Sequence, residues 1–270
     1  MKSEIKIKKP FLKWAGRKTK LMPKLLPLFK EAGVFVEPFV GSGAVWINTE
    51  YDNYVLCDVN KDLINLYNIL KQEGRGFIAY CKEYFTLENR EKERYYQLRT
   101  LFNNTQDTRE KSALFVYLNR HCFNGLCRYN SKNEFNVPQG SYKTIYFPEK
   151  EMLEFHEKSQ RAEFKTLDFR ELFKSIENHG AMVYCDPPYI PLSKGSSFTA
   201  YSKGGFSYED QKDLKSCAEK SESIVVISNS DTELTRRLYS NFEMITVEVN
   251  RSIGSKAASR KKVTEIIAIN

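Results

Sequence analysis

Short buried runs stand at both ends of this chain, and a long stretch of helical periodicity separates them. Val34 to Val40, Tyr54 to Cys57, Glu163 to Thr166, Ala181 to Cys185, Ile224 to Ser228, Phe242 to Val249 and Val263 to Ile269 are apolar, β-branched or aromatic runs. Runs of this length and composition predict strands. From Asp62 to about Lys158 no convincing strand occurs, and apolar residues recur at helical spacing over 61–72, 75–85, 91–104 and 110–121. A further amphipathic helix is expected from Leu21, Leu25, Leu26 and Phe29, and another near 207–220. The pattern is that of an α/β sheet interrupted by a helical insertion.

One strand ends in a way that carries chemistry. Ala181 to Cys185 runs into Asp186-Pro187-Pro188-Tyr189. Two prolines cannot continue a central strand, so the chain leaves the sheet there with a stiff backbone. A carboxylate, rigid carbonyls and an aromatic ring thus meet at a strand's carboxyl end, where open α/β sheets bind ligands. An exocyclic amino group on a planar ring is a poor nucleophile because its lone pair is delocalised. Asp186 and the Pro187 carbonyl suit its two N–H groups, and Tyr189 suits its ring. The bland alternative is a strand followed by a turn with a capping Asp. DPPY resembles motif IV of the amino methyltransferases, which act on adenine N6, cytosine N4 or related amide nitrogens.

Other segments fit a nucleotide-like ligand. Val34 to Gly43, with Glu37, Pro38 and Phe39 before Gly41-Ser42-Gly43, reads as strand, Gly-rich turn and helix start. Glycines there let a ligand approach the backbone, and a helix N-terminus favours an anion. A dinucleotide enzyme is the rival, but Trp46 stands at the third position of its fingerprint. Asp58 ends the next strand, placed for a ribose diol or to cap the helix near Lys61. Trp14, ahead of Lys18, reads equally as a cofactor wall or a core anchor.

Within the insertion, Phe123 to Asn130 and Phe135 to Gly140 flank a polar turn and suggest a β-hairpin. Its amide, arginine and apolar tips are what reading base edges requires, although an ordinary exposed hairpin has the same pattern. Leu192 to Gly205, rich in Ser, Gly and Lys, is expected to be a mobile loop. Arg251 to Lys262 faces either phosphate or solvent.

Composition adds bounds. With 270 residues, 41% hydrophobic, the chain can bury a sizeable core, and a net charge of +8 leans towards a polyanionic partner. Six cysteines without a CxxC pair, and no signal peptide expected, point to reduced thiols in the cytoplasm. Three histidines make a zinc site improbable, and no apolar run approaches a membrane span. A cytosine-C5 enzyme is excluded, since no Pro-Cys pair occurs.

Taken in order, FLKWAGRK, FVEPFVGSG, LCDVN, a long insertion and DPPY make the chain similar to the Dam family of DNA adenine-N6 methyltransferases, in the α-class arrangement. The resemblance covers nearly the whole chain. FNGLCRYN with FNVPQGSYK is its most specific part, and DPPYIPLS and FTAY also fit. It implies a Rossmann-like catalytic domain, 1–60 and 149–270, with a target-recognition domain at 61–148. It implies S-adenosylmethionine as cofactor, double-stranded DNA as partner, no metal, and action as a monomer on adenine within GATC. Residue by residue, Trp14, Ala15, Lys18, Glu37, Pro38, Phe39, Gly41, Gly43, Asp58, Asp168 and Asp186 would surround the cofactor. Asp186, Pro187 and Tyr189 would hold the target adenine. On the DNA side stand Lys13, Arg120, Phe123, Asn124, Leu126, Arg128, Asn130, Pro138, Tyr142 and Lys143. Arg128 would meet guanine, Leu126 and Pro138 the thymine edge, and Phe123 would enter the stack. The chain departs from the family at Arg17, at Phe123 and at Ser141, where glycine, tyrosine and arginine respectively are usual or occur in some members. Two other classes share parts of this pattern: an amino methyltransferase acting on another DNA sequence, on RNA or on a protein amide, and a DNA-binding relative without the chemistry.

Overall fold

The computed structural model describes residues 6–176, 180–189, 205–250 and 262–270. Its sheet comprises β1 (Val34–Glu37), β2 (Asn53–Asp58), β3 (Ala162–Thr166), β4 (Met182–Cys185), β5 (Ile224–Ser230), β6 (Glu243–Asn250) and β7 (Lys262–Ile269). The strand order is β3-β2-β1-β4-β5-β7-β6. β1 to β5 are parallel, while β7 runs antiparallel to both β5 and β6. The order reverses between β1 and β4, so their carboxyl ends open onto a common crevice.

The helices among the described residues are α1 (Met22–Leu25), α2 (Lys61–Glu73), α3 (Arg75–Glu83), α4 (Lys92–Asn104), α5 (Thr108–His121), α6 (Glu149–Ser159), α7 (Phe169–Ser175), α8 (Tyr208–Lys220) and α9 (Glu233–Leu238). Successive strand residues bury on opposite faces, as the two-residue period requires. Tyr54, Leu56, Met182, Tyr184, Val226 and Ile267 join one apolar cluster, with residues of α2 to α6. Val36, Cys57, Val183, Cys185, Val225, Ile227 and Ile266 join the other, with α7, α8 and α9. Both faces are therefore covered, which is why the parallel strands read as continuous apolar runs. The first cluster runs without a break from the sheet into the inserted helices, through Phe11, Tyr67, Tyr95, Tyr117 and Phe155.

Several expectations change. The helix expected from Leu21 to Phe29 is one short α-helical turn between two 3-10 turns, Lys18–Lys20 and Leu26–Leu28. Pro23 and Pro27 lack the N–H that a continuous helix needs. The Gly-rich turn leads to a single 3-10 turn, Trp46–Asn48, and not to an α-helix. Asn48 donates to the Ala44 carbonyl and Thr49 to that of Trp46, satisfying locally what a further helical turn would have used. The segment expected as a hairpin folds back antiparallel but irregularly: it has isolated bridges, Cys122 with Gln139 and Tyr129 with Phe135, and backbone amides of Phe123, Asn130 and Asn136 donate to the carbonyls of Pro138, Glu134 and Arg128. A 3-10 turn at Phe123–Gly125, with Asn124 at φ 55°, breaks the ladder. Side chains of α4 hold the strip as well: Tyr95 and Arg99 donate to the Val137 carbonyl, and Asn103 brackets Phe135. Most of the loop expected at Leu192 to Gly205, the FTAY segment, and nearly all of Arg251 to Lys262 lie outside the described residues.

Candidate active site

β4 delivers Asp186 to the crevice and the two prolines end the strand. Asp186 Oδ1 accepts from Lys18 Nζ at 2.8 Å and from Ser228 Oγ, on the neighbouring β5, at 3.1 Å. Among the described residues both contacts fall on Oδ1, and Oδ2 has no side-chain donor. Lys18 is buried and also donates to the Gly16 carbonyl, at 3.1 Å. Its ammonium lies 4.6 Å from the centroid of the Tyr189 ring, a cation–π approach that holds the ring beside the carboxylate. The Tyr189 hydroxyl donates to Glu265 Oε2 on β7 at 3.0 Å.

The charge balance here is tense. Burial pushes the Asp186 carboxyl above its ordinary value, and this outweighs Lys18, which pulls the other way; Glu265 adds to the rise. Glu37, at the end of β1 and 3% exposed, is raised well above the ordinary range by burial and then by Asp186. Its Oε2 is buried and has no hydrogen-bond partner among the described residues. A buried carboxylate oxygen with nothing to accept is costly, and a ligand that donates there would relieve it.

Beside Glu37 the chain turns through Val40 to Gly43. Gly41 has φ 45° and Gly43 φ 74°, the left-handed region that glycine enters freely. A Cβ on Gly41 would lie 2.8 Å from Trp14 Nε1, so the indole rests directly on this backbone. Asp58, ending β2, accepts from the amides of Gly41 (3.1 Å) and Asn60 (2.9 Å). Asn60, not Asp58, caps α2. Asp58 thereby ties the two turns together, and burial raises its carboxyl although these amides lower it. Pro38 is buried, Phe39 packs on Phe169 and Phe206, and Ala15 is exposed. Asp168 caps α7 and pairs with Arg170, which also reaches Asp210 and Asp213. Glu37, Asp58 and Asp168 stand at or just beyond the carboxyl ends of the adjacent strands β1, β2 and β3. The orphaned Glu37 oxygen suits an ammonium, and the glycine turn lets the indoles of Trp14 and Trp46 pack directly on its backbone.

The expected DNA-facing residues fall into two groups. Lys13 is clamped by α5: its amide donates to Asn119 Oδ1 and its carbonyl accepts from Asn119 Nδ2, each at 2.8 Å. Its ammonium lies 3.9 Å from the Tyr142 ring centroid and donates to the Arg120 carbonyl. Burial and then the Arg120 charge lower its pKa; Arg120 itself is lowered by burial, and its Nε is buried without a partner. Gly125 packs against Lys13 so closely that a Cβ would come within 2.3 Å of the lysine Cβ. The strip thus binds Lys13, Arg120 and Tyr142 into one cationic patch. In the second group Phe123 is 48% exposed, and Asn124, Arg128, Pro138 and Lys143 are exposed as well, while Leu126 is half-buried. Arg128 Nε donates to Asn136 Oδ1 at 2.8 Å, which sets the direction of its guanidinium. Asn130 is occupied within its own turn, accepting from the amides of Lys132 and Glu134 and donating to Glu134 Oε2.

Sequence reasoning missed Ser228, Glu265, Asn119 and Asn136. The signal for Ser228 was a polar end on an apolar strand, and for Glu265 a lone acid in the closing strand. Nothing local marked Asn119, and Asn136, although within the FNVPQG segment, had no role of its own assigned. Among the described residues no group of three or more His, Cys, Asp or Glu could hold a metal ion, and no helix is long and apolar enough to cross a membrane.

The chain resembles known proteins over nearly its whole length. The family model described as D12 class N6 adenine-specific DNA methyltransferase matches residues 14–253. The chain is 46% identical over 269 residues to the DNA adenine methylase of Vibrio cholerae, covering 98% of this chain and 97% of that one. It is 44% identical to the DNA adenine methylase of Serratia marcescens, covering 98% and 99%, and to that of Escherichia coli, covering 98% and 96%. From Trp14 through the glycine turn and DPPY to the closing sheet, the chain belongs to the D12 class of N6 adenine-specific DNA methyltransferases.

Proposed function

We propose that this protein methylates N6 of adenine within GATC in duplex DNA, with S-adenosylmethionine as the methyl donor. The observation that carries the reading is the Asp186 carboxylate, held by Lys18 and Ser228 through Oδ1 beside the rigid Pro187-Pro188 turn. The free Oδ2 and the Pro187 carbonyl would each accept one N–H of the extruded adenine, favouring a nitrogen whose lone pair is available. Tyr189, fixed by Glu265 and Lys18, would stack on the base. Extrusion costs a few kcal/mol, which this stacking and the filling of the gap by Phe123 would offset in part.

The donor's sulfonium supplies an activated methyl group. Glu37 would accept from its ammonium, the Gly41–Gly43 turn would lie along its amino-acid part, and Trp14, Ala15, Pro38 and Phe39 would wall the site. Asp58 would take the ribose diol, and Asp168 the adenine, with a carboxylate already shared with Arg170. Lys18 serves here chiefly to orient Asp186. No strong base is required before transfer, because the methylated nitrogen loses its proton readily; the rate enhancement rests on orientation and fixed dipoles.

Residues 61–148 would act as the recognition unit. Arg128, aimed by Asn136, would read guanine O6 and N7; Leu126 and Pro138 would touch the thymine edge. Lys13, Arg120, Asn124, Asn130, Tyr142 and Lys143 would line the duplex. The test is to incubate the protein with labelled donor and a duplex holding a single GATC, then to digest and identify the nucleosides. N6-methyl-2′-deoxyadenosine as the only labelled nucleoside is expected. Label in cytosine, in RNA alone or in protein would reject the reading.

A further inference from the structure

We infer that Gln211 is a positioning residue that aims the Pro187 carbonyl, and that β5 pins the Pro187-Pro188 turn at both ends. The inference rests on the reading above, in which that carbonyl accepts from the target amino group. Neither proline carries an N–H, so no backbone donor of their own can fix this turn. It must be held through its carbonyls and through neighbouring side chains.

The structure supplies such a hold. Gln211 on α8 is fully buried, and its Nε2 donates to the Pro188 carbonyl at 3.0 Å. A carbonyl only accepts, so the amide orientation is set by chemistry. Gln211 Oε1 accepts from Asn229 Nδ2 at 3.0 Å and from the Tyr239 hydroxyl at 3.2 Å, and both of these residues are also fully buried. Asn229 Oδ1 is fixed in turn by the Ser230 amide at 2.8 Å. The proline ring already fixes φ of Pro188. Once the Pro188 carbonyl is clamped, ψ of Pro188 is fixed too, and with it the plane of the Pro187–Pro188 peptide that carries the Pro187 carbonyl. At the other end Ser228, next to Asn229, holds Asp186. Consecutive residues of β5, with side chains on opposite faces of the sheet, thus brace the two acceptors of one amino group. A fully satisfied buried network of this kind is rigid, which is what a catalytic dipole requires.

Gln211→Leu keeps most of the volume and removes the donor. The measurement is single-turnover methylation at saturating donor and DNA, together with both dissociation constants and the thermal midpoint. A displacement of about 1 Å in a reacting geometry costs about 10²-fold, so a fall of about 10- to 100-fold in rate is expected. Both dissociation constants should stay within about twofold of wild type. Gln211→Glu is the second variant: its carboxyl can donate to Pro188 only when protonated. Its rate relative to wild type should rise as pH falls while the folded fraction, followed by circular dichroism, stays constant. A folded Gln211→Leu that methylates within about twofold of wild type would overturn the inference. So would a flat relative rate for Gln211→Glu across pH. Asp186→Asn, run beside them, separates the two claims. If it too keeps its rate, the amino-group clamp itself fails; if it alone is inactive, only the Gln211 brace fails.

Discussion

Asp186→Asn separates catalysis from stability at the centre of the site. Lys18 and Ser228 both donate to Oδ1. In the variant the amide oxygen must take that position, since an NH2 cannot face two donors. Nδ2 then replaces Oδ2, and a donor meets the donor of the adenine amino group. Loss of one fixed electrostatic partner costs about 10²–10³ in rate, or about 2.7–4 kcal/mol, and an opposed donor adds to it. Stability should move the other way. Burial raises the carboxyl of Asp186 more than Lys18 lowers it, and Glu37 is raised by burial and by Asp186. A group with a raised folded pKa contributes stability that is present below its unfolded pKa and lost as pH rises through the folded one. At neutral pH the wild type bears that loss and the uncharged variant does not. The variant should therefore melt higher at neutral pH, each kcal/mol being worth about 2–4 °C in a chain of roughly this size. The difference should shrink as acidification protonates Asp186. Scanning calorimetry between pH 5 and 8 with single-turnover assays tests both halves. Turnover within about tenfold of wild type would refute the role of Oδ2. A lower neutral-pH midpoint, unchanged on acidification, would show that the Lys18 pair outweighs burial.

Four other substitutions have defined outcomes. Arg128→Ala should relax one guanine position of GATC by about 1–3 kcal/mol, whereas Phe123→Ala should slow turnover on duplex without altering the chosen sequence; rates on every single-base variant check this, and equal loss at all sites would make Arg128 a phosphate contact. Gly41→Ala, at φ 45° with its Cβ against Trp14, should cost about 1–2 kcal/mol in backbone strain and weaken donor binding measured by calorimetry, with duplex binding unchanged. His121 is buried against Tyr117 with burial lowering its pKa from 6.5 to about 4. The unfolded state binds the extra proton between these values, so His121 should cost the fold stability as pH falls from 6.5 to about 4, by up to about 3 kcal/mol. In His121→Leu that acid sensitivity should be reduced in urea titrations.

Much of this fold and site is legible in the sequence because it is local. The DPPY turn follows from an apolar run stopped by two prolines, and Asp58 from a strand ending in an acid. The paired glycines mark a turn that other residues would strain, and both adopt positive φ. Pro23 and Pro27 are equally visible, yet the spacing of Leu21, Leu25 and Leu26 points to a helix, and that helix breaks where the prolines stand. α7 and α9 escape detection because seven and six residues give too little periodicity. α6 is longer and amphipathic, but its apolar positions merge with those of the insertion. The recognition strip shows its chemistry and its fold-back but not its irregularity, since its arms pair only in places and side chains of α4 complete the hold. Least legible are partners brought together by topology. Lys18 reads as a ligand for the cofactor, and the structure sets it on Asp186. Asp168 reads as a ligand for the cofactor, and the structure pairs it with Arg170.

Position-resolved mapping of N6-methyladenine on a randomised duplex library, after treatment with the protein and S-adenosylmethionine, tests the central claim most directly. Methylation confined to the adenine of GATC, on both strands and absent with Asp186→Asn, is the expected result. Modification spread over adenines without regard to sequence, or surviving in Asp186→Asn, would contradict it.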